Sequence, residues 1–165
     1  MRILVGLGGN LGDVKGSLAA AVAQIGARFT VCGVSSLWRS AAVGPAQPDY
    51  LNAAMVVEIG VHPLQLLAVC HLIEGAAGRD RSREPRWGPR RLDLDLLMAP
   101  GLVLEGPALA LPHPRLALRR FALLPACELV PEWVHPRIHR TLSELSEAVE
   151  PTSQPCQPLE PRQQP

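Results

Sequence analysis

The chain has 165 residues, of which 47% are hydrophobic and 19% are charged, and its formal net charge is +1. This length fits one domain, and the apolar content excludes a fully disordered chain. The near-neutral charge gives no overall attraction for nucleic acid or anionic lipid, so we expect neither as a partner, and any charge-driven site must be local.

Cysteine usage and the apolar segments bear on where the protein works. The four cysteines lie far apart, which argues against a zinc or redox pair and against a disulfide framework. The apolar start of the chain is soon broken by glycines and does not resemble a signal peptide, and no run approaches the roughly 18 apolar residues of a membrane span. We expect a cytoplasmic monomer with reduced thiols.

The first 98 residues predict an alternation of strands and helices. Helical periodicity follows Asp13, a possible N-cap, and begins again at Pro63, which suits a first helical turn. The first helix should end near Ala27 and the second before Gly78. Glycine and proline predict irregular structure over 40–50. Apolar runs predict strands at 2–7, about 30–39, 51–60 and 92–98, with the glycines after residue 5 ending the first strand in a turn.

The order β-α-β-β-α-β predicts an α+β fold with a ferredoxin-like core, in which helices pack on an antiparallel sheet. Shorter elements should follow, including a strand at 102–105, a turn at 111–116 and a short helix at 141–149. Residues 151–165 are rich in Pro and Gln and bury little apolar surface. We expect a domain of residues 1–150 and a disordered tail over 151–165, whose removal leaves activity unchanged.

Two aspartates in the segment LDLDLLM form the strongest chemical feature. Because strand side chains alternate between faces, Asp93 and Asp95 should share one face and the leucines at 92, 94 and 96 the other. Neighbouring carboxylates repel unless a cation lies between them, and Mg²⁺ binds one or two carboxylates together with substrate phosphates. A solvated strand face is the alternative interpretation.

Arginines directly precede the two aspartates. Guanidinium groups beside a two-acid metal site are suited to bind a polyphosphate, although a charged surface loop has the same composition. Trp87 lies in this segment and either covers a flat ring or fixes the loop. Arg90 and Arg91 cannot both face one way on an extended chain, so at least one should be structural or exposed. The arginines of the segment are Arg79, Arg81, Arg83, Arg86, Arg90 and Arg91.

Other polar residues give weaker signals. Tyr50 and Asn52 are two residues apart at a predicted strand start, where they could bind a small heterocycle or simply form a strand edge. His113 lies between two prolines and could contact phosphate or cap a turn. His71 and Glu74 share a helix face, but without further ligands an ordinary helix surface is the preferred interpretation.

Taken in order, these motifs resemble the 6-hydroxymethyl-7,8-dihydropterin pyrophosphokinase family of folate biosynthesis. The resemblance covers about residues 1–145 and is most specific in RWGPRRLDLDLLM (86–98). Other matching segments are GLGGNLGD (6–13), SSLWRSAAVGP (35–45), QPDYLNAAMVVEI (47–59), LLAVCHLIEGAAGRDR (66–81) and LPHPRLALRRFALLPACELVPEWVHP (111–136).

The resemblance implies pyrophosphoryl transfer from ATP to the pterin hydroxymethyl group, which gives AMP and the pterin diphosphate. It implies two Mg²⁺ ions bound by Asp93 and Asp95, with Arg81 and Arg90 also in the catalytic set. The residues implied to bind the pterin are Ser40, Ala41, Val43, Tyr50, Asn52, Trp87 and Phe121. The residues implied to contact ATP are His71, Glu74, Arg81, Arg86, Trp87, Arg90, His113 and Arg119.

Two other function classes fit parts of the sequence. A Mg²⁺-dependent nucleotidyltransferase would also use a DxD pair, with a third acid on a later strand, for which Glu105 is the nearest candidate. An RNA-binding module can share the ferredoxin-like topology, but it stacks bases on sheet aromatics, and aromatic residues make up only 4% of this chain.

Overall fold

The structure is a computed structural model that describes residues 1–42, 46–79 and 88–159. Four α-helices are found in these ranges: α1 (Val14–Gly26), α2 (Pro63–Ala76), α3 (Arg120–Cys127) and α4 (Leu142–Ala148). The strands are β1 (Arg2–Gly9), β2 (Thr30–Val34), β3 (Trp38–Ser40), β4 (Tyr50–Glu58), β5 (Asp93–Met98), β6 (Leu104–Glu105), β7 (Ala110–Leu111) and β8 (Cys156–Pro158). No described helix has both the length and the apolar character needed to span a membrane.

The main sheet has the predicted ferredoxin-like topology. Its strand order is β5-β1-β4-β3-β8, and β2 pairs with the far end of β4, so that β2 and β3 follow one another along the same neighbour. All of these pairings are antiparallel. Because β4 lies between β1 and β2, the chain forms the split β-α-β unit that the element order predicts.

Each face of the sheet carries its own apolar layer. One face packs against α1 and α2 through residues such as Val5, Met55 and Leu94. The other packs against α3 and α4 through residues such as Leu4 and Leu97. The alternation of strand side chains produces this division, since neighbouring residues of β1 and β5 point to opposite faces. Helices α3 and α4 leave part of their side of the sheet uncovered, and the candidate site lies on this uncovered part.

Helix boundaries follow the local sequence signals. Asp13 caps α1 by accepting a hydrogen bond from the backbone N–H of Gly16 at 3.0 Å, and Pro63 occupies the first turn of α2. Gly78 follows α2 with φ of 90°, a conformation that glycine adopts without steric cost. The predicted end of β1 is wrong, because the strand continues through Gly9 rather than turning at its glycines.

The C-terminal segment differs from the predicted disorder over residues 151–159. A turn is followed by β8, which pairs with β3 at the edge of the sheet. Pairing of this kind uses backbone groups and needs little apolar burial, and an edge strand tolerates proline. The composition rule that predicted disorder therefore does not apply to these residues, and 160–165 lie outside the described residues.

Candidate active site

The two aspartates share one face of β5, as the strand alternation predicts. Asp93 and Asp95 line a cavity on the sheet face that carries α3, while Leu94 points into the opposite apolar layer. On β1, Gly8 pairs with Asp93 and Gly6 pairs with Asp95. These glycines place no side chain on the cavity floor, and a Cβ on Gly8 would lie 3.3 Å from Asn52 Oδ1.

Three guanidinium groups surround the two carboxylates. Arg79 forms an ion pair with Asp93, and Arg90 Nη1 donates to the other oxygen of Asp93 at 2.9 Å. Arg119 Nη1 lies 3.6 Å from Asp95 Oδ2. The side chain of Arg79 is only 8% exposed, so its charge lies against the acids rather than in solvent. The site therefore concentrates fork-shaped donors of the kind that bind phosphate oxygens.

Asp95 is the less strongly paired of the two acids. Its side chain is 41% exposed, yet it lies on the floor of a concave cavity with protein on most sides. Desolvation at this position, followed by repulsion from Asp93, raises the pKa of Asp95 to about 6, against an opposing effect of Arg119. A cation beside this carboxylate would stabilise its charged form and so oppose both effects on the pKa.

Glu74 connects helix α2 to the strand that carries the aspartates. Its carboxylate accepts the backbone N–H of Leu94 at 2.8 Å and pairs with Arg79. The residue is only 1% exposed, so the interpretation of this position as ordinary helix surface is wrong. His71, three residues earlier, is exposed. Helix α2 thus contributes a buried positioning group for the site.

Polar and aromatic groups form the other wall of the cavity. The Asn52 side chain donates to Ser40 Oγ at 2.9 Å, and Tyr50 donates through its hydroxyl to the carbonyl of Gly88 at 3.2 Å. Phe121 lies across the cavity, with the Arg119 guanidinium carbon 5.5 Å from its ring centre. Ala41 also lines this wall. A flat apolar surface next to carboxamide and hydroxyl groups is suited to a polar heterocycle.

His113 is held in a single hydrogen-bonding arrangement. Its backbone N–H donates to the carbonyl of Leu97, and its Nδ1 accepts the backbone N–H of Arg115 at 3.1 Å. Burial, followed by the charges of Arg119 and Arg115, lowers the pKa of His113 to about 4. The imidazole is therefore neutral near pH 7, and with Nδ1 accepting, Nε2 carries the hydrogen.

Asn10 joins two chain segments that flank the cavity, and nothing in the sequence reasoning singled it out. Its side-chain nitrogen donates to Gln47 Oε1 at 2.9 Å and to the carbonyl of Pro48 at 3.0 Å. Its side-chain oxygen accepts the backbone N–H of Arg90 at 2.8 Å. The sequence offers only an asparagine directly after a glycine-rich strand. The structure shows that this side chain is buried, so its polar atoms need partners within the protein.

Comparison with known proteins now places the chain in a family. A family model described as 7,8-dihydro-6-hydroxymethylpterin-pyrophosphokinase (HPPK) matches residues 4–131. The chain belongs to this pyrophosphokinase family. It is 41% identical over 152 residues to a 2-amino-4-hydroxy-6-hydroxymethyldihydropteridine pyrophosphokinase of Synechocystis, covering 91% of this chain and 77% of that protein. The protein of the same name from Methylorubrum extorquens is 39% identical over 136 residues, covering 81% of this chain and 85% of the relative.

Solved structures of HPPK proteins share the fold. An HPPK-DHPS in complex with substrates superimposes with a TM-score of 0.67 at 11% identity, covering 89% of this chain and 43% of that longer chain. The wild-type HPPK-DHPS of Plasmodium falciparum gives a TM-score of 0.66 at 15% identity, covering 88% of this chain and 40% of the other. This chain thus spans less than half the length of those two-part proteins.

Several residues that the HPPK resemblance implies lie outside the described residues: Val43, Arg81, Arg86 and Trp87. Glu74 and His113 do not line the cavity: Glu74 is buried beside Arg79, and His71, on the same helix, is exposed. The other implied residues all line it: Ser40, Ala41, Tyr50, Asn52, Arg90, Asp93, Asp95, Arg119 and Phe121. Arg79 was counted among the arginines of the segment but not among the site residues, and its pairing with Asp93 adds it to the site. Arg91 is exposed while Arg90 faces the acid, as the geometry of an extended chain requires.

The alternatives to an HPPK fit the structure less well. Glu105, the third acid that a nucleotidyltransferase would need, pairs with Arg137 and does not line the cavity. Both sheet faces carry helices, which leaves no open aromatic platform for RNA bases among the described residues.

The donor set of the site fits Mg²⁺. Asp93 and Asp95 present hard oxygen ligands on one strand face, and no group of three or more metal-ligating side chains occurs among the described residues. Two protein carboxylates are what Mg²⁺ takes when substrate phosphates and water complete its shell. This fit agrees with the general use of ATP and Mg²⁺ in the HPPK family.

Proposed function

We propose that this chain transfers the pyrophosphoryl group of ATP to the hydroxymethyl oxygen of 6-hydroxymethyl-7,8-dihydropterin, giving AMP and the pterin diphosphate. One observation carries the proposal: a two-acid site with three arginines adjoins a wall suited to a heterocycle within a single cavity. The family to which the chain belongs supports the same reaction.

The pterin would occupy the wall formed by β3, β4 and the start of α3. Phe121 offers a flat apolar surface, while Asn52, Tyr50 and Ser40 offer the polar atoms. Gly8 keeps the floor open beside Asn52 Oδ1. This arrangement would direct the hydroxymethyl group toward the two aspartates.

The triphosphate would lie over β5, where Arg79, Arg90 and Arg119 are gathered. In the free protein their guanidinium groups pair with the carboxylates, and with substrate present they can bind phosphate oxygens instead. His113 would donate from Nε2 to a phosphate oxygen, since it remains neutral with Nδ1 occupied. We propose that Arg81, Arg86 and Trp87 contribute from the neighbouring segment.

Asp93 and Asp95 would hold Mg²⁺, and we propose two ions. When bound, the metal supplies neutralisation of the phosphate charge and withdraws electrons from the β-phosphorus. The pterin hydroxyl oxygen forms a bond to the β-phosphorus and gives up its proton to water. The bond from that phosphorus to the α–β bridging oxygen breaks, and AMP leaves with that oxygen. The residues of this chain contribute by aligning the two substrates and by stabilising charge, which carry most of the catalysis in phosphoryl transfer.

We also propose that the protein acts as a monomer in the cytoplasm. In support, one chain brings the two acids, Arg90, Arg119 and the polar and aromatic wall together around a single cavity. The four cysteines are unpaired, as expected in a reducing compartment.

Nucleotide analysis tests the proposed reaction. The purified chain is incubated with ATP, Mg²⁺ and hydroxymethyl-dihydropterin, and the products are separated by chromatography. We expect AMP and pterin diphosphate in equal amounts, and no AMP with a pterin that carries a methyl group in place of the hydroxymethyl group. Formation of ADP, or release of free pyrophosphate, contradicts the proposal.

A further inference from the structure

The C-terminal segment reaches the edge of the cavity from outside the domain core. Strand β8 pairs with β3, so that Cys156 lies opposite Ser40 and Gln157 lies opposite Arg39. Two further backbone bonds extend this pairing, from Ala41 N–H to the carbonyl of Pro155 at 3.4 Å and from Leu159 N–H to the carbonyl of Leu37 at 2.7 Å. The segment therefore holds the strand that supplies one cavity wall.

The same segment also holds the start of α3, which forms another part of that wall. Gln154 Oε1 accepts the backbone N–H of Arg120 at 2.9 Å, and Gln154 Nε2 donates to the carbonyl of Leu118 at 2.7 Å. The two bonded residues lie on either side of Arg119, and the second of them directly precedes Phe121. Arg119 and Phe121 both line the cavity. The Gln154 side chain thus fixes the backbone that carries Arg119 and Phe121.

Helix α3 lacks a cap of its own at this end. Its N-cap residue is Arg119, whose side chain makes no capping hydrogen bond. The first N–H groups of a helix have no partner within it, and a side-chain oxygen normally satisfies one of them. Gln154 supplies that oxygen from 34 residues further along the chain. The start of α3, and with it the direction of Phe121, depends on the C-terminal segment.

We propose that residues 153–159 brace the substrate cavity and that Gln154 is a positioning residue for Arg119 and Phe121. The inference rests on the proposed function, because it assigns those two residues to substrate binding. None of residues 153–159 belongs to either apolar layer of the core, so the brace acts on the cavity walls rather than on the fold as a whole. Its loss should weaken pterin binding more than it slows the chemical step, which replaces the expectation from composition that removal of residues 151–165 leaves activity unchanged.

Two truncations test the brace. One ends at Glu150 and removes β8, and the matched control ends at Leu159 and keeps it. For loss of the β8 pairing and both Gln154 bonds, we expect KM for the pterin to rise about tenfold in the shorter chain, with kcat within about threefold of the full chain. The control should match the full chain in both constants. Equal KM values for the two truncations would overturn the proposal.

Single substitutions keep the test valid if the shorter chain fails to fold. Gln154→Ala removes both side-chain bonds and should raise KM for the pterin about fivefold, whereas Gln157→Ala on β8 should not change it. Gln154→Glu keeps the acceptor for Arg120 N–H and should recover part of the loss. If Gln154→Ala leaves KM unchanged, Gln154 does not position the site.

A readout without turnover separates this proposal from the proposed function. Amide hydrogen exchange of the free protein should be faster at Ala41 and Arg120 when β8 is absent, and faster at Arg120 alone in Gln154→Ala. If the full chain makes no AMP, the proposed reaction is wrong, and the exchange rates still decide whether the brace exists. Unchanged exchange at both amides would show that it does not.

Discussion

The carboxylate of Glu74 accepts the backbone N–H of Leu94 at 2.8 Å, so that a side chain of α2 fixes the peptide between Asp93 and Asp95. The same carboxylate pairs with Arg79, which in turn pairs with Asp93. The buried glutamate therefore sets both the position of the strand and the charge beside it.

Removal of the Glu74 carboxylate should weaken both the fold and the site. Glu74→Ala leaves a buried N–H without its acceptor and a nearly buried guanidinium with one partner fewer, so we expect the free energy of unfolding to fall by about 2 kcal/mol. Urea denaturation measures the change. Glu105→Gln, which breaks an exposed ion pair, is the matched control and should leave stability unchanged.

The two aspartates should differ in their effects on stability although both are needed for turnover. Asp93→Asn removes two ion pairs and should lower the free energy of unfolding by about 2 kcal/mol. Asp95→Asn should not lower the free energy of unfolding at pH 7.5, because the folded protein disfavours the charged form of Asp95 that the substitution removes. The increase should be at most about 1 kcal/mol, because solvent screens the charge of this partly exposed side chain. For both variants we expect kcat to fall at least about a hundredfold.

The raised pKa of Asp95 predicts how the stability of the protein changes with pH. The folded state binds the Asp95 proton more tightly than the unfolded state does, because the pKa is raised to about 6 from an ordinary value near 3.8. Stability due to this group is therefore lost as pH rises between these two values. The advantage of Asp95→Asn over the parent chain should grow across that window and stay constant above it. An advantage that shrinks with rising pH contradicts the assignment.

His113 should change the stability with pH in the opposite direction to Asp95. Its pKa falls from 6.5 to about 4 on folding, so the unfolded chain binds more protons between those values and stability falls as pH drops through them. In urea denaturation at pH 7 and pH 5, His113→Gln should lose less stability than the parent chain.

Gly8 keeps the cavity floor free of side chains. An added Cβ would lie 3.3 Å from Asn52 Oδ1, which is tighter than ordinary contact. We expect Gly8→Ala to raise KM for the pterin about tenfold, in the range that overpacking of a filled site costs. Steady-state kinetics measure the change. Gly60→Ala adds a Cβ with no heavy atom within 4 Å and should leave KM unaltered.

Local sequence patterns predicted the parts of the site that depend on local geometry. Strand alternation was enough to place Asp93 and Asp95 together on one face and Leu94 on the other. The pattern could not reveal that Arg79 reaches Asp93, because that contact depends on how α2 packs against β5. The burial of Glu74 has the same origin, since its helix position alone fits solvent as well as it fits the sheet.

Contacts between distant segments account for what the sequence did not predict. The three partners of Asn10 lie 37 to 80 residues away, and no periodicity encodes such a set. The pairing of β8 with β3 joins residues more than 110 positions apart in a segment whose composition is typical of disorder. Such pairings depend on register between remote backbones, which a composition rule does not consider.

Strand β8 has a consequence for how the protein behaves at high concentration. An open strand edge is a template on which another chain can add a strand, and natural proteins often block such edges with proline. β8 covers β3 and ends in Pro158, which has no N–H to offer to an incoming strand. In chains that end at Glu150, the backbone of β3 around Trp38 would form an open sheet edge. We expect these chains to self-associate, which light scattering would detect, as well as to bind substrate more weakly.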